Sequence, residues 1–121
     1  MSNSKTLSVV IPCFNEENYI GNCVLSLLSN GFPASQMEIL IVDGMSKDGT
    51  RGIVNELNKS NSQIRLIDNS KKKTPFALNL GIENAKNEYI LIASAHSSFD
   101  EGYISALFTE MEKYKADVIG G

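Results

Sequence analysis

The sequence contains no tryptophan, one histidine, two cysteines and three prolines. Two cysteines, Cys13 and Cys23, are too few for the disulfide framework that stabilises many small secreted domains. Unpaired cysteines are among the side chains most often found buried, so we expect two free, buried thiols. This cysteine content is typical of a protein that works in the reducing cytoplasm.

Long apolar runs and a large excess of one charge are also missing. The longest apolar runs, such as residues 7–11, are far too short to span a bilayer, and the N-terminus has no apolar signal core. Eleven basic and fourteen acidic residues give a formal net charge of -3. This balance argues against a nucleic-acid-binding protein that depends on bulk positive charge, although it leaves a local basic patch open. We therefore expect no nucleic-acid partner and no membrane span in this chain.

The 121 residues fit one domain with a sizeable core, and apolar runs alternate along them with segments of helical period. Five apolar segments, most of them rich in β-branched residues, predict strands that are buried on both faces: 6–11, 38–42, 63–67, 88–93 and 116–119. Between them, apolar residues recur every three or four positions, as in amphipathic helices. The order βαβαβαβαβ predicts the α/β class, with a mainly parallel sheet and helices on both faces.

Turn and capping residues predict where the helices begin and end. Residues 30–31, Asn-Gly, are a stop signal for the first helix, and residues 46–50 contain several N-cap candidates for the second. The third helix should begin near residues 74–75, Thr-Pro. Its inward positions should be Leu78, Ile82 and Ala85. Ser98 and Glu101 have the spacing of a capping box for the fourth helix.

Polar residues concentrate in the segments that directly follow the first four strands. These segments are residues 12–17, 43–50, 68–73 and 94–98. In open parallel sheets, ligands bind beyond the carboxyl ends of the strands, where the strand order changes direction. Neither a P-loop nor a Gly-x-Gly-x-x-Gly turn is present, so an ordinary phosphate-cradling or dinucleotide-binding fold is not favoured.

Four motifs in this order resemble the inverting family 2 glycosyltransferases, which have the GT-A fold. They are VVIPCFNEE at 9–17, EILIVDGMSKDGT at 38–50, ALNLGI at 77–82 and EYILIASAHSSFDEGY at 88–103. The resemblance extends from about residue 7 to residue 121, and it is nearest to exopolysaccharide-type members, which often have Asp-Ala-His at positions 94–96. It implies a Rossmann-like half that holds a nucleotide-diphosphate sugar of the UDP or GDP type.

The resemblance also implies which residues contact the donor. They are Pro12, Phe14, Asn15, Glu16, Asp43, Lys73, Ser94, Ala95 and His96. Phe14 offers a flat ring to the base or ribose, Asp43 offers a carboxylate acceptor, and Lys73 offers an ammonium group beside a helix N-terminus.

Structural explanations stand beside these roles. Phe14 would equally suit the core, and Asn15 would suit a turn. Glu16 would complement the positive end of the following helix, and Asp43 would form an Asx turn. Three consecutive lysines, residues 71–73, are most often a solvated surface run.

Two positions depart from the family pattern. Many members have a second aspartate, which contacts the base, where this chain has Gly44. The family's Asp-x-Asp binds Mg²⁺ or Mn²⁺ on the donor diphosphate, and here Ser94 and His96 replace the two aspartates. The resemblance implies such a cation, whereas the replacement argues against it, because hard cations prefer carboxylate oxygens. His96 is then a weak metal ligand, a phosphate partner when protonated, or part of a site that has lost activity.

The general base of family 2 enzymes lies in a second, acceptor-binding half, and nothing in residues 1–121 matches that half. The resemblance therefore implies that residues 1–121 are one nucleotide-sugar-binding domain, truncated from a longer transferase, with the catalytic base beyond residue 121. The implied reaction is inverting transfer of a sugar to an acceptor hydroxyl of a glycan or lipid-linked sugar, in polysaccharide or cell-surface glycan synthesis. The longer protein would work in the cytoplasm or at the cytoplasmic face of a membrane.

Two other functions stay open. A degenerate, non-catalytic module of the same fold would bind a nucleotide or a partner protein. Ser94 and His96 favour this alternative, and the intact segments 9–17 and 43–50 oppose it. A nucleotidyltransferase is disfavoured, because its opening loop rich in Gly and Lys or Arg is absent.

Overall fold

The computed structural model describes residues 5–114 and contains four strands. The strands are β1 (Leu7–Cys13), β2 (Met37–Asp43), β3 (Ile64–Asp68) and β4 (Tyr89–Ile92). All pair in parallel, in the order β3-β2-β1-β4, so the direction of strand succession reverses between β1 and β4. This confirms the predicted parallel sheet, while the predicted strand 116–119 lies outside the described residues.

Four α-helices follow the strands in turn. They are α1 (Ile20–Leu28), α2 (Thr50–Ser60), α3 (Thr74–Asn84) and α4 (Tyr103–Tyr114). A single 3₁₀ turn, Ala34–Gln36, precedes β2. The second and third helices begin where the sequence predicts. In residues 5–114, no helix is long and apolar enough to cross a membrane.

Helices cover both faces of the sheet, as the alternating pattern predicts. One face packs against α1, α2 and α4, and its core includes Val9, Ile11, Ile39, Ile41, Val24, Val54 and Ile104. The opposite face packs against α3 and contains Val10, Leu40, Val42 and Ala77. The two central strands, β1 and β2, are therefore buried on both faces. This explains why their sequences are nearly continuous apolar runs.

The inward face of α3 differs from the sequence prediction. Ala77 and Gly81 face the sheet, whereas Ile82 is 51% exposed. Leu78 is half-buried, and Ala85 packs at the edge of the same core cluster. Apolar residues occur nearly all round this helix, so periodicity selects no single stripe. Gly81 allows a close approach of α3 to β1 that a larger residue would prevent. The side of α3 that contains Ala77 and Gly81 therefore faces the sheet.

The N-terminus of α4 is held by Asn30 rather than by the predicted Ser98–Glu101 capping box. The Asn30 Oδ1 atom accepts the backbone N–H of Ile104 at 2.9 Å, and its Nδ2 donates to the Asp100 carbonyl at 2.5 Å. The helix begins only at Tyr103, so the capping-box prediction is wrong. A residue distant in sequence provides the cap, and a local motif search cannot detect it.

Candidate functional site

The carboxyl ends of β1, β2 and β3 lie at one level of the sheet. The register pairs Cys13 with Asp43 and Asp43 with Asp68. The segments that follow these strands are called here loop 1 (14–19), loop 2 (44–49) and loop 3 (69–73). They therefore start side by side, at the edge where the sequence analysis expects a ligand.

Loops 1 and 2 are joined by side chains that bind backbone groups across the gap. The backbone N–H of Asn15 donates to Ser46 Oγ at 2.7 Å, and Asn15 Oδ1 accepts the N–H of Lys47 at 2.9 Å. The N–H of Glu16 donates to Thr50 Oγ1 at 2.8 Å. The Asn15 side chain thus joins the two loops, and donor contact by Asn15 stays a prediction.

Each of the three loops contains one non-glycine residue in the left-handed region. The φ angles are 51° at Asn15, 65° at Met45 and 64° at Lys72. Such conformations are uncommon outside glycine and cost on the order of 1 kcal/mol each, so the surrounding structure must hold them in place. They are the only non-glycine residues with positive φ in the described part of the chain. Their concentration at one edge of the sheet marks this edge as a candidate binding site.

An open pocket of about 180 Å³ lies between these loops and the start of α3. Its wall consists of strand ends, loop residues and the first turn of the helix: Pro12, Cys13, Phe14, Glu16, Val42, Gly44, Asn69, Lys72, Lys73, Thr74 and Ala77. Four predicted donor-binding residues therefore meet in one cavity, namely Pro12, Phe14, Glu16 and Lys73. The Phe14 ring is 48% exposed, so the alternative of full burial in the core does not apply to it.

Asn69 is a pocket residue that the sequence analysis missed. It is 2% exposed, its N–H donates to the Asp43 carbonyl at 2.7 Å, and its Nδ2 donates to the Lys73 carbonyl at 3.0 Å. Its Oδ1 is the only buried side-chain oxygen or nitrogen of the described residues without a hydrogen-bond partner. A buried acceptor without a donor costs about 1–3 kcal/mol, so this oxygen calls for an explanation.

Positive charge reaches the pocket from loop 3 and from α3. Lys72 and Lys73 both line it, and no side chain caps the N-terminus of α3, where the aligned peptide dipoles favour an anion. Lys71, in contrast, places its Nζ 4.5 Å from the centre of the Phe76 ring, and neither residue lines this pocket. The three consecutive lysines are therefore not equivalent.

Asp43 lies behind the pocket, with no exposed surface. Its carboxylate accepts the N–H of Ser46 at 2.8 Å, the Ser46 hydroxyl at 2.5 Å and the Arg51 guanidinium at 2.9 Å. Arg51 also binds Asp68 at 2.7 Å, and its hydrogen bonds to Asp68 and Asp43 raise the pKa of Arg51. An ionised carboxylate has about four acceptor positions, and three are used here. The carboxylate accepts an N–H three residues on and not two, so the bond differs from that of the predicted Asx turn. Donor contact by Asp43 stays a prediction.

The segment after β4 places His96 against loop 1. Its Nε2 lies 2.7 Å from Glu16 Oε1, and its ring stacks on Tyr19 with 4.2 Å between ring centres. The backbone N–H of His96 donates to the Ser94 hydroxyl at 3.2 Å, and Ala95 is buried. None of these three residues lines the pocket described above. Their predicted contact with a donor stays a prediction.

The donor atoms after β4 do not fit a hard divalent cation. Among residues 5–114, no three His, Cys, Asp or Glu side chains come close enough together to hold a metal. Mg²⁺ and Mn²⁺ prefer several carboxylate oxygens. The carboxylate nearest to His96 belongs to Glu16, and it is already paired with the imidazole.

The two thiols are free and buried, as the cysteine content predicts. Burial raises the pKa of Cys13 to about 12, with a further contribution from the Asp43 carboxylate. Burial alone raises the pKa of Cys23 to about 11. Because the thiolate is the reactive form, both side chains stay protonated and inert at neutral pH. Cys13 therefore forms part of the pocket wall and does not act as a nucleophile.

A parallel sheet with a polar pocket beyond its strand ends is the arrangement of Rossmann-like nucleotide-binding domains. The model of glycosyl transferase family 2 matches residues 8–121. The chain therefore belongs to glycosyl transferase family 2, as the motifs indicate. A curated relative is the dolichyl N-acetyl-alpha-D-glucosaminyl phosphate 3-beta-D-2,3-diacetamido-2,3-dideoxy-beta-D-glucuronosyltransferase of Methanococcus voltae, 33% identical over 113 residues. The matched region covers 92% of this chain and 35% of that protein.

Solved structures confirm the GT-A fold. TarS 1–349 of Staphylococcus aureus in complex with UDP-GlcNAc matches with a TM-score of 0.79 and 21% identity, over 91% of this chain and 32% of that one. The mannosyltransferase PcManGT of Pyrobaculum calidifontis in complex with GDP-Man and Mn²⁺ matches with a TM-score of 0.72 and 22% identity, over 78% and 28%. The chain spans between 16% and 39% of the length of the first four curated relatives.

Proposed function

We propose that this chain is the donor-binding portion of a glycosyltransferase and binds a nucleotide-diphosphate sugar in the pocket between loops 1, 2 and 3 and α3. The pocket wall carries this assignment, because it combines the exposed ring of Phe14 with two lysines and the uncapped start of α3. Family membership supports the proposal. So do the matching structures, one with UDP-GlcNAc and one with GDP-Man.

Each part of the pocket suits one part of the ligand. The exposed Phe14 ring offers a face on which a base can stack. Lys72, Lys73 and the uncapped start of α3 offer positive charge to the diphosphate. Gly44 leaves a narrow gap here: a Cβ at this position would lie 3.5 Å from both the Phe14 ring and the Lys72 Cα.

The whole protein would transfer the sugar to an acceptor hydroxyl with inversion, in polysaccharide or cell-surface glycan synthesis. Inverting transfer needs a base to deprotonate the acceptor, and the acceptor glycan or lipid-linked sugar would be held together with that base outside residues 1–121. The share of each relative that this chain covers supports a division of this kind. We place the reaction in the cytoplasm or at the cytoplasmic face of a membrane.

A second candidate function is a non-catalytic nucleotide-binding module. The observation that favours it is the segment after β4, where Ser94 and His96 stand in place of the family's two aspartates and no metal-binding group forms among the described residues. Both candidates require nucleotide binding in the same pocket. They differ only in the transfer step, which is measured by sugar transfer in the full-length protein.

Replacing Phe14 by alanine should weaken the binding of the cognate nucleoside diphosphate about tenfold, because the base would lose the ring on which it stacks. Calorimetric titration with UDP and with GDP measures this change. Inorganic diphosphate has no base, so its affinity should stay within about twofold of the wild-type value. Phe76→Ala, an exposed aromatic position outside the pocket, is the matched control. Equal nucleotide affinity of the Phe14→Ala variant and the wild type would contradict the assignment.

A further inference from the structure

We propose that this domain binds the diphosphate of its donor without a divalent cation, with Lys72, Lys73 and the start of α3 providing the positive charge instead. The inference rests on the proposed function, because it assumes that a nucleotide-diphosphate sugar occupies the pocket. It assigns the task of charge neutralisation to the segment after β3, whereas the family pattern assigns it to a metal bound after β4.

The segment after β4 offers too few oxygen ligands for this task. Ser94 contributes a neutral hydroxyl, which accepts the backbone N–H of His96. The His96 Nε2 atom is paired with Glu16 and the imidazole ring stacks on Tyr19, so this nitrogen is engaged and the ring plane is fixed. Imidazole is also a poor ligand for Mg²⁺ in comparison with a carboxylate. His96 therefore joins the segment after β4 to loop 1 and does not form a cation site.

The segment after β3 is built to hold two ammonium groups at the pocket. The N–H of Lys72 donates to the Asn69 carbonyl at 3.1 Å, which closes a turn, and Lys72 itself has a left-handed backbone. The carbonyl of Lys73 accepts the Asn69 Nδ2 and the N–H of Ala77, so the backbone at this position is fixed as well. A strained, doubly anchored backbone that directs two lysines to one pocket indicates a functional constraint.

The charges of this arrangement match what a metal would supply. Two lysines carry a formal charge of two, equal to that of one divalent cation, and the uncapped N-terminus of α3 adds about half a charge. Glu16 is the one acidic residue in the pocket wall, and its carboxylate is paired with His96. The donor diphosphate thus meets net positive charge without a bound ion.

Calorimetric titration of the chain with UDP and with GDP tests this inference. We expect the dissociation constant of the cognate nucleotide in EDTA to be equal to or lower than that in Mn²⁺ or Mg²⁺. A nucleotide complexed by a cation carries less negative charge and is bound less strongly by lysines. An affinity that falls tenfold or more in EDTA would overturn the inference while leaving the proposed function intact. No binding of either nucleotide under any condition would overturn the proposed function itself.

The double variant Ser94→Asp/His96→Asp provides the positive control, because it introduces the two carboxylates of the family pattern. Circular dichroism first establishes that it folds. Its nucleotide affinity should rise several-fold when Mn²⁺ replaces EDTA, whereas that of the wild type should not. If the wild type shows the same gain as the double variant, the native segment after β4 binds the cation and the inference is wrong.

Discussion

Replacing Gly81 by alanine lowers the free energy of unfolding by about 3 kcal/mol, a large share of the 5–15 kcal/mol that stabilises an ordinary domain. A Cβ at this position would lie 2.3 Å from Val10 Cγ1 and 3.0 Å from Val10 Cγ2. Val10 has no exposed surface, and its register neighbours Leu40 and Ile92 flank it in the sheet. The clash is relieved only if α3 moves away from the sheet.

Thermal and urea unfolding, followed by circular dichroism, measure this loss. We expect the melting temperature to fall by about 10 °C or more. Gly52→Ala is the matched control, because Gly52 also lies within a helix but a Cβ there would meet nothing within 4 Å. That variant should gain up to about 0.5 kcal/mol from better helix propensity. Equal stability of the Gly81→Ala variant and the wild type would contradict the close packing of α3 on β1.

Reversing the charge of both pocket lysines, with Lys72→Glu and Lys73→Glu, reduces nucleotide affinity by at least about 100-fold. Each lysine should contribute a charge-assisted contact to the diphosphate, and such contacts are worth about 1.5–3 kcal/mol each. The introduced carboxylates would in addition repel the ligand. Both lysines are exposed, so the double variant should keep nearly the stability of the wild type. Calorimetric titration with the cognate nucleoside diphosphate measures the loss.

Lys71→Glu tests whether nucleotide affinity depends on the position of each lysine or only on the net charge of the chain. The Lys71 ammonium group lies over the Phe76 ring and outside the pocket, yet the substitution changes the net charge by as much as the single variant Lys73→Glu does. We expect its affinity to stay within about threefold of the wild-type value. If Lys71→Glu and Lys73→Glu weaken binding equally, the lysines act through a diffuse field, and the proposed contact with the diphosphate is wrong.

The architecture follows from local patterns in the sequence. The apolar runs of β1 and β2, buried on both faces, alternate with helical segments, and this alternation predicts a parallel sheet. The starts of α2 and α3, at Thr50 and Thr74, fall in the segments 46–50 and 74–75 that local signals indicate. The position of the site also follows, because a parallel sheet brings the segments after its strands to one edge.

Features that depend on contacts between distant residues could not be predicted in this way. The sheet-facing side of α3 is decided by the fit between Gly81 and Val10, which lie 71 positions apart in the sequence. The cap of α4 comes from Asn30. The bond of the Asn69 side chain to the Lys73 carbonyl is visible only in the folded structure, so the residue type alone gives no signal.

The left-handed backbone at Lys72 and the contact between His96 and Glu16 also could not be predicted from local patterns. Lys72 is left-handed directly after the turn that its N–H closes with Asn69, although lysine has no preference for that region. Glu16 and His96 are 80 positions apart, and they meet because β1 and β4 are neighbours in the sheet. The spacing of motifs thus locates the site, and tertiary structure decides which of its residues face the pocket.

The central claim is that a nucleoside diphosphate binds at the carboxyl ends of β1, β2 and β3, against the start of α3. Amide chemical-shift mapping of the isotopically labelled chain during titration with UDP or GDP tests it most directly. We predict that the largest changes occur in residues 13–16, 44–46 and 69–77. Changes confined to the apolar cleft between β4 and α4, which Tyr89, Phe108 and Met111 line, would contradict the claim, as would no change at millimolar nucleotide.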